Sequence, residues 1–518
     1  MMTMVLLAAT LNTTAQEDDL DIRGHIEHVG SHSVPSSDSP LRKIGTLASA
    51  PLTNLGSPKV PVVLVQFPDL PFTVGETEEA INQTYQDHFN APEDAHPGLS
   101  LCSVKTYFEH ESGGLFTPEF DMIGPVTLSK SSTYYGEDRG SSKDIHINEF
   151  YREACQQAMQ TYAVEWDKYD NDGNGIVDYV FFIFAGQGQN QKGTETSTIW
   201  PKEGLVHFIV EGDDFTVTFG SAGCASELYK NKMDGVGACV HELCHGLGLP
   251  DFYDYNYKAY GMDYWDVMDS GCYKINGRLP IGLSAYELDF LEWRKLEELH
   301  PDSAYSLTLD PLETGGVAYK VVNKANPDEY FILENRQNTG MDKCIGYAVS
   351  TQYNQYGANH GLMITHVNYS SSAWNSNTVN TTEPSRQRFT IVPADGEVIS
   401  SVNLETSEEK AAWALSQHGD LYPGDNNVTE ISSYAVFTGE TLGQTIDNIV
   451  EHEDGTITLD INGGKIEDPE NPEDPEDPED PEDPEDPEDP EDPEDPQDPE
   501  DPEIPEDPLE EPDIPEIS

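Results

Sequence analysis

Two histidines, a glutamate and an aspartate share one short stretch, GVGACVHELCHGLGLPDFYD, at residues 235–254. His241 and His245 are four residues apart, which places both imidazoles on one face of a helix, one turn from each other. Two imidazoles arranged in this way can bind one Zn²⁺ at about 2.0–2.1 Å. Glu242 can reach a water molecule on an open coordination position of that ion. The pattern predicts one catalytic zinc ion, with Glu242 as general base for a zinc-bound water.

The third ligand is expected just beyond the helix. Gly248 can adopt a left-handed conformation that ends the helix, and Pro250 cannot continue it. Asp251, six residues after His245, then turns back towards the histidines and is the predicted third zinc ligand. Asp254 is the alternative at this position.

Met268 lies in a second short stretch, WDVMDSG at residues 265–271. A methionine in a tight polar turn is expected to form an apolar floor beneath a three-ligand zinc site. Taken alone, Met268 is also explained by core packing, and a bare HExxH by an ordinary amphipathic helix. The extended pattern HExxHxxGxxD together with the methionine turn favours the zinc site.

A second metal site is predicted at residues 170–178, DNDGNGIVD, which repeat the first nine places of an EF-hand loop. The ligand positions are filled by the side chains of Asp170, Asp172, Asn174 and Asp178 and by the carbonyl of Ile176. Phe181 replaces the usual glutamate at position 12, so the EF-hand is incomplete. We expect a structural calcium site that holds the following strand, and the alternative is an Asx-rich turn without metal.

The charge of the chain excludes several classes of partner. The 518 residues contain 27 Lys and Arg against 96 Asp and Glu, a formal net charge of −69. Net attraction to nucleic acid or to anionic lipid is therefore not expected. No apolar stretch approaches the roughly 18 residues of a membrane-spanning helix. The seven cysteines show no CxxC spacing, which argues against a cysteine zinc site.

Three segments predict the elements around these motifs. VPVVLVQF at 60–67 and YVFFIFA at 179–185 are continuous apolar runs that are typical of strands buried on both faces. Residues 145–162 carry apolar side chains near helical spacing. Alternating strands and helices predict an α/β (α+β) domain over residues 58–303.

The remainder of the chain contains two regions of different sequence composition. Short apolar runs separated by turn residues predict a β-rich region over 304–465, some of whose strands could instead complete the preceding domain. Residues 466–518 repeat Glu-Asp-Pro, which supplies no apolar surface to bury. We expect this tail to be a disordered or polyproline II spacer.

The amino-terminal residues carry an export pattern. An apolar run and small residues predict a secretory signal peptide over residues 1–15. Residues 16–57 are polar, with Ser and Pro clusters, and are interpreted as a propeptide or linker.

The two motif stretches, GVGACVHELCHGLGLPDFYD and YWDVMDSG, resemble the active site of immune inhibitor A-type metalloproteases, secreted bacterial zinc endopeptidases related to the metzincins. The resemblance extends over about 58–400 and is carried by further stretches. These are PVVLVQFPDLPF (61–72), SVKTYFEHESGGLFTPEFDMIGPVTL (103–128), DNDGNGIVDYVFFIFAGQG (170–188), IWP (199–201) and EYFILENRQ (329–337).

The resemblance implies a metzincin-like fold, zinc, peptide-bond hydrolysis, an N-terminal propeptide and export. It assigns zinc ligation to His241, His245 and Asp251, the general base to Glu242, and the methionine turn to Met268. Metzincins more often use a third histidine where this chain has an aspartate. Some relatives also place a tyrosine two residues after the methionine, at the position of Ser270.

The sequence therefore predicts a zinc metalloendopeptidase made as a zymogen and located outside a bacterial cell or on its surface. Its expected partners are protein or peptide substrates, without nucleic acid and without membrane insertion. The alternative is a surface-exposed binding protein with a non-catalytic zinc site, supported by the β-rich region and the acidic spacer.

Overall fold

A computed structural model describes most of the chain between residues 50 and 464. The described ranges are 50–92, 102–140, 142–191, 198–212, 216–346, 360–402, 404, 406–431, 434–439 and 441–464. The predicted signal peptide, residues 16–49 of the predicted propeptide and the Glu-Asp-Pro tail lie outside these ranges. All the predicted site residues lie inside them.

The helices of the described chain are short, and none of them has the length and apolarity needed to cross a membrane. The α-helices are α1 (Glu78–Asn90), α2 (Val104–Glu111), α3 (Ser132–Tyr135), α4 (Ile147–Tyr162), α5 (Gly237–Gly246), α6 (Ala285–Phe290), α7 (Ser371–Asn375) and α8 (Ser407–Gly419). Helices of the 3₁₀ type span Trp166–Tyr169, Asp263–Trp265, Ser270–Gly277, Leu312–Thr314 and Gly340–Gly346.

A seven-stranded mixed sheet packs against the helix that carries His241 and His245. Its strands are β1 (Lys59–Gln66), β2 (Glu119–Thr127), β3 (Ile176–Val177), β4 (Val180–Gln187), β5 (Lys202–Glu211), β6 (Thr216–Tyr229) and β7 (Lys232–Met233). The order is β2-β1-β4-β6-β3, with neighbours parallel, whereas β5 and β7 pair with β6 in antiparallel fashion.

The central strands are apolar throughout because both faces of the sheet are covered. Along β4, Phe181 and Ile183 join the core that contains α5, whereas Phe182 and Phe184 join the core that contains α4. Successive side chains of a strand point to opposite faces, so each apolar residue enters one core or the other. The predictions of strands at 60–67 and 179–185 and of a helix at 145–162 are confirmed.

Two smaller sheets follow in the second half of the chain. The five-stranded sheet contains β8 (Glu297–Leu299), β10 (Tyr319–Val322), β11 (Glu329–Arg336), β12 (Gly361–Asn368) and β13 (Phe389–Ile391), in the order β13-β12-β11-β10-β8. The three-stranded sheet contains β9 (Tyr305–Leu309), β14 (Ile446–Glu451) and β15 (Ile457–Ile461), in the order β14-β15-β9.

The second half of the chain shares a core with the first. Trp374, Phe389 and Trp413 belong to the same apolar cluster as the residues of α5. Phe389 stacks on Phe252, with ring centroids 3.8 Å apart. Part of the region after residue 304 therefore completes the surroundings of the metal centre.

Candidate metal centre

Helix α5 carries both histidines and packs between the main sheet and the turns that follow it. His241 and His245 are fully buried, and their ring centroids lie 4.8 Å apart with the ring planes at 87°. The four-residue spacing therefore brings the two rings together, as the sequence predicts.

The end of α5 orients the second histidine. Gly248 has a φ of +97° and donates its N–H to the His245 carbonyl at 2.8 Å, while Leu249 donates to the Cys244 carbonyl at 3.1 Å. These two bonds form a Schellman motif, which needs a left-handed residue at the position of Gly248. The reversal brings the Leu249 carbonyl to 2.8 Å from Nδ1 of His245.

The methionine turn orients the first histidine. The Val267 carbonyl lies 2.8 Å from Nδ1 of His241. The turn is held by Asp266, whose Oδ1 accepts the N–H of Met268 at 2.8 Å, and Met268 itself is fully buried. The predicted turn thus contacts the site through the backbone of the residue before the methionine.

The three predicted ligands converge on one point. Oδ1 of Asp251 lies 3.2 Å from Nε2 of His241 and 3.2 Å from Nε2 of His245. Because each Nδ1 faces a carbonyl oxygen, Nδ1 carries the proton of a neutral ring and Nε2 carries the lone pair. Two nitrogen lone pairs and one carboxylate oxygen therefore point at each other inside the core.

This donor set fits a divalent cation. Lone pairs that face one another repel unless a positive charge lies among them, and two imidazoles with one carboxylate are a usual catalytic set for Zn²⁺. The hydrogen bonds from Nδ1 to backbone carbonyls are the contacts that fix the ring orientation of metal-bound histidines.

Glu242 is buried next to these ligands with its carboxylate unsatisfied. Among the described residues, neither Oε1 nor Oε2 has a hydrogen-bond partner. Burial raises the pKa of this carboxyl to about 8, an effect that His241 opposes and Asp251 reinforces. A buried polar group without a partner is costly to the fold, which is typical of a residue kept for chemistry.

Asp254, the alternative third ligand, has a different role. Its Oδ1 accepts the N–H of Asn256 at 2.9 Å, and its Oδ2 accepts those of Lys258 and Ala259 at 2.8 and 2.9 Å. The carboxylate therefore holds the loop after Asp251, and the geometry favours Asp251 as the ligand.

The loop at residues 170–178 brings together part of its predicted ligand set. Carboxylate oxygens of Asp170, Asp172 and Asp178 lie within 4.8 Å of one another. The loop's own backbone already binds these acids, since Asn174 N donates to Asp170 Oδ1 and Asp172 Oδ1 at 3.0 Å each. The arrangement is compatible with both interpretations that the sequence leaves open, and calcium stays a prediction.

Sequence reasoning missed the residues that hold Asp251. Asn377 Nδ2 donates to Asp251 Oδ2 at 2.6 Å, and the hydroxyl of Tyr255 donates to the same oxygen at 2.8 Å. Tyr255 lies only four residues after Asp251, so its hydroxyl could have been considered as a hydrogen-bond donor to that ligand from the sequence. Asn377 is 126 residues away and belongs to no motif, so nothing in a single sequence connects it with the site.

A third cluster of possible ligands lies outside the motifs. His110, Glu111 and Glu313 offer ligand atoms within 4.8 Å of one another. Nε2 of His110 already lies 3.0 Å from Oε2 of Glu313, which also accepts the N–H of Met341 at 2.8 Å. His110 and Glu313 of this cluster therefore already have hydrogen-bond partners within the chain.

Residues 52–296 match the sequence profile of the family described as immune inhibitor A peptidase M6, catalytic domain. This segment contains the histidines, Glu242, Asp251 and the methionine turn. The chain thus contains a domain of the immune inhibitor A type of M6 peptidase. The prediction of a metallopeptidase domain is thus confirmed for this segment.

Two relatives of the M6 domain show how far the similarity extends. The pre-pro-metalloprotease PrtV of Vibrio cholerae serotype O1 is 29% identical over 272 residues, which cover 45% of this chain and 29% of that protein. Immune inhibitor A of Bacillus thuringiensis subsp. alesti is 28% identical over 273 residues, which cover 45% of this chain and 39% of that protein. The matched part of the chain therefore spans well under half of either relative.

Proposed function

We propose that the protein is a secreted zinc-dependent endopeptidase. His241, His245 and Asp251 would hold the metal, and the observation that supports this is the approach of both Nε2 atoms to within 3.2 Å of Asp251 Oδ1. A bound zinc ion supplies a Lewis acid and lowers the pKa of a coordinated water towards 7.

Glu242 is the proposed general base. Its carboxylate takes a proton from the attacking water and delivers that proton to the leaving amine of the peptide. Both carboxylate oxygens are available for this transfer because no described side chain or backbone group binds them. Met268, buried in the turn that carries the Val267 carbonyl, is the proposed apolar support of the ligands.

Strand β5 is the proposed docking edge for an extended peptide. It pairs with β6 and with no other strand of the described chain. Such an edge offers backbone hydrogen bonds that are independent of side chains, so the proposed sequence selectivity is broad.

Export and activation by removal of a propeptide are part of the proposal. They rest on the apolar run in residues 1–15 and on the polar segment 16–57. One relative is named a pre-pro-metalloprotease, a name that describes a leader and a propeptide in that protein. We also propose structural calcium at residues 170–178, supported by the three carboxylates that lie together there.

Zinc stoichiometry combined with proteolysis tests the proposal. Purified protein from which the propeptide has been removed is expected to contain one zinc ion and to degrade casein or gelatin. A chelator is expected to abolish the activity, and added zinc is expected to restore it. Activity that resists removal of the metal would contradict the mechanism. Bound zinc without any proteolysis would favour the alternative, a binding protein with a non-catalytic site.

A further inference from the structure

The two oxygens of the Asp251 carboxylate have different neighbours. Oδ1 faces the histidines, whereas Oδ2 accepts hydrogen bonds from Asn377 and Tyr255. The Asn377 amide also accepts the backbone N–H of Asp251 through Oδ1, at 2.6 Å. One side chain thus fixes both the backbone and the carboxylate of the proposed third ligand, and both residues are 1% exposed.

The segment around Asn377 holds the whole loop that carries Asp251. Asn380 Nδ2 donates to the Phe252 carbonyl at 2.5 Å, Thr381 Oγ1 accepts the N–H of Tyr255 at 3.0 Å, and Gln387 Oε1 accepts the N–H of Gly261 at 2.6 Å. Residues 377–387 therefore run alongside residues 251–261 and form hydrogen bonds with them at several positions. All of these partners lie beyond residue 296, where the match to the family ends.

The position of Asn377 is itself anchored. It follows α7, and its backbone N–H donates to the Trp374 carbonyl at 3.1 Å. Trp374 is fully buried, and its indole N–H donates to the hydroxyl of Tyr286 at 2.6 Å. The amide is thus presented to Asp251 from a buried, hydrogen-bonded part of the core.

We infer that Asn377 is a positioning residue for the metal centre, which turns Oδ1 of Asp251 towards the two histidines. Two donors hold Oδ2, so Oδ1 is the oxygen that would face a cation bound between the histidines. Loss of such an outer contact typically lowers metal affinity about 10- to 100-fold. The inference rests on the proposed zinc site and adds a requirement for a residue outside the matched domain.

A purely structural role for Asn377 is the competing explanation. Its φ is +52°, a left-handed conformation in which asparagine is favoured over most residues. Glycine adopts this conformation readily but has no amide. Asn377→Gly therefore keeps the backbone conformation and removes the amide that contacts Asp251.

Asn448 provides a matched control. It also has a left-handed φ, +53°, and it donates to an aspartate, with Nδ2 2.7 Å from Oδ2 of Asp460. It lies on the exposed side of β14 and takes no part in the metal centre. Asn448→Gly thus makes the same backbone change and removes one asparagine–aspartate hydrogen bond at an exposed position elsewhere in the chain.

Competition with a zinc chelator and the visible absorption of the Co²⁺-loaded protein test the inference. Asn377→Gly is expected to weaken Zn²⁺ binding about 10- to 100-fold and to change the Co²⁺ bands, which report the ligand geometry. Asn448→Gly is expected to leave both unchanged. Tyr255→Phe, which removes the second donor to Oδ2, is expected to weaken binding by a smaller factor.

The two proposals fail in different ways. If wild-type protein binds no zinc, the proposed function fails. If wild-type protein binds zinc and Asn377→Gly keeps the same affinity and Co²⁺ spectrum, only the positioning role is overturned. A lower melting temperature of metal-free Asn377→Gly with an unchanged Co²⁺ spectrum would assign Asn377 a structural role and would also overturn the inference.

Discussion

The metal centre and the cluster around Arg336 are both fully buried groups of acidic and basic side chains, yet their charges are balanced differently. Arg336 donates through Nη1 to Glu334 Oε1 at 3.0 Å and through Nη2 to Asp342 Oδ1 at 2.6 Å. Its remaining contacts include the Gly282 carbonyl at 2.9 Å. The chain itself thus supplies the cation that these carboxylates need.

In the metal centre the basic side chains direct their N–H groups away from the carboxylate. His241 and His245 use Nδ1 for backbone carbonyls and turn Nε2 towards Asp251. In the proposed zinc site, a cation bound from solution supplies the positive charge at this point. Burial and acidic composition therefore do not distinguish the two clusters. The direction of the histidine N–H groups and lone pairs does.

The largest expected effect is on catalysis. Glu242→Gln keeps the shape of the side chain and removes the base, so proteolysis should fall by about 10²- to 10⁴-fold while one zinc ion stays bound. Protease assays and metal analysis of the same preparation measure both quantities.

Glu329→Gln is the control for this prediction. Glu329 is also fully buried, but its Oε1 accepts the N–H of Phe437 at 2.6 Å and its Oε2 accepts that of Thr438 at 3.0 Å. Activity close to that of the wild type is expected for this variant. A Glu242→Gln protein as active as this control would remove Glu242 from the mechanism.

Removal of the Arg336 guanidinium should lower the free energy of unfolding. Arg336→Met leaves Glu334 and Asp342 buried without their partner, which typically costs about 3–5 kcal/mol in the free energy of unfolding. Urea unfolding measures the change, and Arg139→Met, at a guanidinium that is 74% exposed, is the control. Rescue of Arg336→Met by added zinc would mean that the two clusters do not differ as described.

Among the residues that the structure describes, His88 is a buried basic side chain with neither an ion-pair partner nor a proposed metal. Burial lowers its pKa from 6.5 to about 4. The unfolded chain therefore binds a proton between pH 6.5 and 4 that the folded chain does not. The contribution of neutral His88 to stability is complete above pH 6.5 and is lost as the pH falls towards 4.

His88→Phe tests this pH dependence. By linkage, about 3 kcal/mol of unfolding free energy should be lost in the wild type between pH 6.5 and 4, relative to the variant. Because other groups titrate equally in both proteins, the difference between their unfolding curves isolates His88. A difference that does not change with pH would show that His88 is protonated in the folded state.

The smallest expected effect distinguishes the two aspartates. Asp254→Asn removes hydrogen bonds within its loop, so a loss of about 1–2 kcal/mol in stability and an unchanged zinc affinity are expected. Asp251→Asn, at the proposed ligand, is expected to weaken zinc binding. Isothermal titration with zinc measures both affinities. A larger loss of zinc affinity in Asp254→Asn than in Asp251→Asn would contradict this distinction.

Local physics explains which features the sequence could predict. The helical spacing of His241 and His245, the glycine that ends α5 and the apolar runs of β1 and β4 depend on neighbours in the chain. The convergence of Asp251 with the histidines also follows from one short turn. For this reason the ligand atoms lie together as predicted.

Contacts between distant segments could not be predicted in the same way. Asn377 reaches Asp251 only because β11, β12 and α7 bring the second half of the chain against the first. The Arg336 cluster likewise joins β11 to the residues before α6. No spacing rule relates such partners, and the single residues involved have no distinctive pattern.

Metal analysis of wild-type protein beside His245→Ala is the most direct test of the central claim. We predict one zinc ion per chain in the wild type and none in the variant after dialysis, with both proteins folded by circular dichroism. Equal zinc content in the two proteins, or none in the wild type, would contradict a metal centre built on α5.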